Sequence, residues 1–189
     1  MVPLVRIGPP DLDVEVALAY ATADNFTGRP VYRPDAGCFL VAEAAERLAE
    51  AARLARALGL RLRILDAFRP VEAQWVLWTH TPDPDFLADP RRGSLHSRGA
   101  AVDLTLVDDA GAPLDMGTAF DAFTPESHHG AAAIPAAAQA NRHLLLGLMT
   151  AAGWDHYRKE WWHYQLFAPH PRHPLLSDSV LGRDAMMPR

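Results

Sequence analysis

The order of periodicities along the chain predicts an α+β fold: a small single domain, residues 1–189, in which a central antiparallel sheet is flanked by helices. Three observations carry that prediction. Long segments with apolar residues at helical spacing are interleaved with short segments at strand spacing. The two kinds do not follow a βαβ rhythm, so a parallel sheet is disfavoured. The chain has 189 residues with no repeat and no low-complexity linker, the length of one domain. At that size roughly 70% of the surface of the extended chain can be hidden on folding, so a core needs no staples.

Taken in order, Asp35 to Leu58 places Val41, Ala45, Leu48, Ala52 and Ala55 on one face and most of its Glu and Arg elsewhere. This predicts an amphipathic helix closed by Gly59. Leu60, Leu62 and Ile64 then alternate with Arg61 and Arg63, the period of a half-buried strand. Pro70 stands where a helix starts, leading into Val71 to Trp78. Pro82 to Gly93 is a proline-rich loop. Ala100 to Val107 reads as a second strand, with Val102, Leu104 and Leu106 on one face and Ala101, Asp103 and Thr105 on the other, and Asp108 to Gly111 as a turn. Pro135 to Ala152 is a helix with Gly153 as its stop, and Glu160 to Phe167 a third, aromatic strand. The tail after Pro169 is too rich in Pro and His to carry much structure.

Composition narrows the functions. Eighteen basic against 23 acidic residues give a net charge of −5 and a pI near 5.9, which argues against a nucleic-acid partner and against an anionic membrane surface. Lys159 is the only lysine and sits beside Glu160, a poor setting for Schiff-base chemistry. Cys38 stands alone, which excludes an intrachain disulfide and a Cys-based zinc site; it reads as a buried structural thiol. Met1 to Asp13 lacks the apolar core of a signal peptide and no stretch reaches membrane-span length, so the cytoplasm is the expected compartment.

Three stretches carry chemistry. In Ser94-Leu95-His96-Ser97-Arg98-Gly99-Ala100-Ala101-Val102-Asp103, a His lies in a Gly-containing loop entering a strand, and an Asp points away from the Val/Leu/Leu row. Taken singly, His96 reads as a surface or satisfied core histidine and Asp103 as a solvated strand residue. In Glu160-Trp161-Trp162-His163-Tyr164, a Glu and a His sit among bulky aromatics. Strict alternation puts Glu160 and His163 on opposite faces, so they converge only if Glu160 precedes the strand or a bulge intervenes. His96, Asp103 and His163 together are a two-histidine, one-carboxylate set. That is the ligand count of a catalytic zinc site, and equally the donor set of a non-haem iron triad. Glu160 is then spare and suited to general-base work on water. Arg69, in Asp66-Ala67-Phe68-Arg69-Pro70, is either a salt-bridge partner for Asp66 or, beside a hydrolytic metal, a guanidinium that holds an oxyanion.

The pattern Ser94-x-His96-x-x-Gly99-x-Ala101-x-Asp103 followed by Glu160-x-Trp162-His163 resembles the zinc D-Ala-D-Ala metallopeptidases. Tyr20-Ala21-Thr22, Asp24 to Gly28, Asp66 to Pro70, His96 to Gly99, Met116 to Thr118 and Phe120-Asp121 are similar to the D-alanyl-D-alanine dipeptidase branch, over about Tyr20 to Phe167. The resemblance implies a small α+β fold with one Zn²⁺ per chain on His96, Asp103 and His163. It implies Glu160 as catalytic base and Arg69 as transition-state stabiliser. It further implies that Ser94 and Asp121 help hold the substrate, with Asp121 facing a free ammonium and Tyr20 contributing to the pocket. The implied partner is a small dipeptide, D-Ala-D-Ala, cleaved to two D-alanines in peptidoglycan precursor metabolism or glycopeptide resistance. Two alternatives stand beside it: a D,D-carboxypeptidase or endopeptidase acting on stem peptides, and a non-catalytic zinc-binding homologue. The oligomeric state, a homo-oligomer included, is left open. His128 and His129 receive no role, and His170 and His173, in the tail, none with metal.

Overall fold

A computed structural model describes residues 4–168 and 172–188. Its frame is a five-stranded sheet built around β5 (Ala101–Asp108), whose residues are buried on both faces along almost the whole strand. β5 pairs antiparallel with β4 (Leu60–Asp66) on one side and with β7 (His163–Gln165) on the other, and β7 pairs antiparallel with β6 (Asp155–His156). The far edge is β2 (Glu15–Val16), which lies parallel to β4, so the sheet is antiparallel except at that two-residue edge. β1 (Leu4–Ile7) and β3 (Cys38–Val41) form a separate antiparallel pair.

The helices are α1 (Ala42–Arg56), α2 (Val71–His80) and α3 (Ala136–Ala151). α1 packs on β4 and on α3, and buries Ala44, Leu48, Ala51, Ala52 and Ala55. The small alanine stripe lets it lie close, and Gly59 (φ +71°) ends the helical region before β4, as the sequence predicts. Loss of helical phase shortens the expected Asp35–Leu58 helix. Cys38-Phe39-Leu40-Val41 is buried at all four positions and forms a strand, because four consecutive buried side chains need two covered faces rather than one helical stripe. The aromatic strand is likewise shorter than Glu160–Phe167: Trp161 and Trp162 form a turn before β7, and the pairing ends at Gln165. The tail carries more structure than its composition predicts. Leu176 and Met186 are buried, Ser97 O accepts from Leu176 N at 2.8 Å, and short 3-10 turns run over Asp178–Asp184, broken by a kink at Gly182. No helix among the described residues is long and apolar enough to cross a membrane.

One irregularity positions the site. β4 and β5 pair in register through Ile64↔Leu104, then a bulge at Leu65 brings Asp66, not Leu65, opposite Asp103. Side chains directly opposite each other share a face, and a one-residue slip moves the rest of a strand to the other face. The bulge therefore turns Asp66 away from the Leu62/Ile64 core row and onto the face of Asp103. On the other side Asp103 pairs with His163. Asp66, Asp103 and His163 thus form a row across three strands.

Candidate active site

His96 reaches that row from a short 3-10 turn, His96–Arg98, which Gly99 closes at φ +65°. A Cβ on Gly99 would stand 2.7 Å from Leu4 Cδ2 and 3.3 Å from the Val41 backbone nitrogen, so both the left-handed conformation and the close approach of β3 require glycine. His96 Nδ1 faces the Ala67 carbonyl at 2.7 Å. A carbonyl only accepts, so Nδ1 carries the hydrogen and Nε2 keeps its lone pair. That lone pair points at His163 Nδ1 (3.1 Å) and Asp103 Oδ1 (3.3 Å), and His163 Nδ1 lies 3.0 Å from the same oxygen. All three residues are buried.

Glu160 sits just before β7, with its Oε2 3.8 Å from His163 Nδ1. The conflict set by strict alternation is resolved because the turn Tyr157–Glu160 swings the side chain to the site face before strand geometry begins. Arg69 is buried and committed on three sides. Its Nε donates to Asp66 Oδ2 (2.8 Å), its Nη1 to Gln74 Oε1 (3.0 Å), and its Nη2 lies 3.5 Å from Asp103 Oδ2. Tyr32 donates its hydroxyl to the other Asp66 oxygen at 2.9 Å. The guanidinium also stands over the Tyr20 ring, 5.0 Å from its centroid, and Tyr20 donates its hydroxyl to Asp121 Oδ2 at 2.8 Å. Ser94 Oγ accepts from the His96 backbone N–H at 3.2 Å.

Asp121 is a non-glycine residue at φ +57°, a backbone state that persists only when its surroundings hold it. Its loop is held by Arg142 on α3, which donates to the carbonyls of Met116 (2.6 Å) and Glu126 (2.7 Å), and by Trp161, whose indole N–H donates to Thr118 Oγ1 at 2.9 Å.

These groups open on one cavity of about 270 Å³. Tyr20, Arg69, Ser94, His96, Asp103, Asp121, Glu160 and His163 all line it, so every site residue singled out from the sequence is brought together. Its charge is lopsided. Burial raises the carboxyls of Asp66, Asp121 and Glu160 above their usual range. Neighbouring carboxylates add to the rise, and Arg69 opposes it in each case. Burial pushes Asp103 the same way, yet positive charge on His96 or His163, or a hydrogen donated from either ring, holds it well below the ordinary range. Four acidic groups around one guanidinium, and three lone-pair donors converging within 4.8 Å of one another, are a donor set that fits a cation.

A family described as D-Ala-D-Ala dipeptidase, peptidase M15, matches residues 1–176. The chain belongs to that family. The D-alanyl-D-alanine dipeptidase of Escherichia coli is 46% identical over 166 residues, 88% of this chain and 85% of that protein. Proteins of the same description from Streptomyces coelicolor and Enterococcus faecalis are 38% and 36% identical, each over 80% of this chain and 86% of their own length. As a peptidase M15 member the chain is a hydrolase.

Several residues that line or brace this cavity carry no signal in the sequence. Gln74 braces Arg69 from the first turn of α2 and donates its amide to Ala88 O at 2.7 Å, tying the guanidinium to the proline-rich loop. That loop roofs the cavity with Pro84, Phe86, Leu87 and Ala88, where proline content alone signals only a loop. Gln165 lines the cavity against His163. Neither His128 nor His129 lines it; the His129 ring packs on His156, 5.0 Å between centroids. His173 lies 3.7 Å from Glu43, and His170 is outside the described residues. Lys159 pairs with Asp85 at 2.6 Å, and Cys38 is buried, its thiol pushed up by burial.

Proposed function

We propose that this chain hydrolyses the dipeptide D-Ala-D-Ala to two D-alanines, with one zinc ion held by His96, Asp103 and His163. The observation that supports the reading is the single small cavity on which a three-ligand cluster, a buried carboxylate, a buried guanidinium and a Tyr-held Asp converge. Bound to the triad, zinc supplies Lewis acidity, which lowers the pKa of water and polarises a carbonyl. Glu160 takes the proton from water as its oxygen adds to the scissile carbonyl carbon, and returns it to the amine as the C–N bond breaks. Arg69, fixed by Asp66 and Gln74, offers its remaining N–H edge to the oxyanion that develops at that carbon; it needs no reorganisation as the charge appears. Asp121 faces the free ammonium of the dipeptide, which rewards an unblocked N-terminus and rejects an acylated one. Tyr20 keeps the Asp121 carboxyl in place, and Ser94 helps hold the substrate beside His96. The whole chain acts as one catalytic unit on a small soluble substrate in the cytoplasm, and removes a building block of peptidoglycan precursors for resistance or recycling.

The test is alanine release by the zinc-loaded chain from D-Ala-D-Ala, L-Ala-L-Ala and N-acetyl-D-Ala-D-Ala, with a chelator control. The expected result is chelator-sensitive release from the free D,D-dipeptide alone. Asp121→Asn should raise KM for it about tenfold or more, as expected when a buried charge pair with substrate is lost. Efficient cleavage of the acetylated peptide moves the activity to a carboxypeptidase, and no release from any substrate refutes the hydrolytic reading.

A further inference from the structure

We propose that Gln165 and Asp155 form a positioning pair that sets which nitrogen of His163 faces the ligand cluster. The proposal rests on the metal reading above and adds residues to it. Asp155 and Gln165 are register partners across β6 and β7, so their side chains share a face. Gln165 Nε2 donates to Asp155 Oδ2 at 3.4 Å, and Gln165 Oε1 stands 3.1 Å from His163 Nε2. A carboxylate only accepts, so Asp155 draws the NH₂ end of the amide to itself and leaves the carbonyl end for His163. A carbonyl also only accepts, so His163 Nε2 carries the hydrogen and the lone pair stays on Nδ1. That nitrogen is the one 3.0 Å from Asp103 Oδ1 and 3.1 Å from His96 Nε2.

The two histidines solve the same problem differently. His96 is oriented by a backbone carbonyl, Ala67 O, which cannot be turned around. His163 is oriented by an amide whose two ends have the same shape and opposite chemistry. Turned over, that amide would present NH₂ to the ring, favour a hydrogen on Nδ1 and close the ligand cluster to a cation. Asp155 removes that alternative. It does so from outside the cavity lining, as the partner of Gln165 rather than of the metal ligands.

The test uses the full chain with zinc alone as probe. Affinity is read by competition with a chromophoric chelator, and the His163 tautomer by NMR of the imidazole nitrogens in the metal-free protein. Gln165→Met is expected to weaken zinc binding about 10- to 100-fold, the range for losing an outer partner of a ligating histidine. It should also leave His163 as a mixture of tautomers. The swap Asp155→Asn with Gln165→Glu again places an acceptor at His163 Nε2 and a donor against that acceptor, and should restore affinity to within about threefold of wild type. Unchanged affinity and tautomer in Gln165→Met overturn the proposal while tight wild-type binding leaves the metal reading standing. Equal weakening in Gln165→Met and the swap reduces the pair to a structural contact and also overturns it. Failure of the wild-type chain to bind zinc overturns both.

Discussion

Replacing Arg69 with methionine keeps an unbranched apolar stem and removes everything its guanidinium holds. In the folded protein Arg69 donates to Asp66 and Gln74 and lies beside Asp103, with Asp66 fully buried. The orphaned Asp66 keeps one hydrogen bond, from Tyr32, and loses its counter-charge. Breaking a buried ion pair from one side costs about 3–5 kcal/mol. For a chain of this size each kcal/mol moves Tm by about 2–4 °C, so a fall of about 6–20 °C is expected in calorimetry of the zinc-free protein. The same substitution removes the proposed oxyanion donor, and a loss of about 100- to 1,000-fold in kcat is expected. Stability and rate separate in the double variant Asp66→Asn with Arg69→Met, which should regain most of the lost stability and none of the lost rate. Arg69→Lys keeps the charge but cannot span Asp66, Gln74 and Asp103 together, and should recover stability better than turnover. An Arg69→Met protein that melts with wild type and turns over normally would refute the ion-pair and the oxyanion arguments together.

Glu160→Gln should retain zinc, measured by metal analysis, and lose about 100- to 10,000-fold in kcat, the span for a general base; full activity removes Glu160 from the chemistry. Gly99→Ala forces a left-handed residue against Leu4 and the β3 backbone, and should cost about 1–3 kcal/mol in urea unfolding; an unchanged midpoint contradicts the close approach. His129 is pushed down to about 4 by burial and by the nearby charges of His156, Arg142 and His143. An unfolded histidine titrates near 6.5, so the unfolded chain binds this proton first as pH falls. The stability held above pH 6.5 is therefore lost progressively down to pH 4, by about 2 kcal/mol at pH 5. In metal-free protein His129→Phe should flatten that part of the stability profile, and an unaltered slope rules His129 out as its source.

Residue types and local spacing by themselves determined the α+β class, the strands around Leu62 and Leu104, the three helices, and Arg69, His96, Asp103, Glu160 and His163 as candidates; Tyr20, Ser94 and Asp121 came only from the family resemblance, and all eight line one cavity. Those features are legible because each depends on neighbours along the chain: a period, a cap, or a histidine and carboxylate a few residues apart. What only the tertiary structure decided depends on partners far away in sequence. Alternation along Leu60, Leu62 and Ile64 places Asp66 on the core face, and only pairing with β5 reveals the bulge at Leu65 that turns it to Arg69 and Asp103. Cys38–Val41 has no sequence period to separate it from the helix behind it; its strand exists because β1 supplies hydrogen bonds and other elements cover both faces. The two-residue strands β2 and β6 are too short to show a pattern, yet β6 carries Asp155 to Gln165. Tyr32, Gln74 and Gln165 look like ordinary polar residues in the sequence, because a side chain that orients another acquires its role only from the hydrogen bond it meets in space.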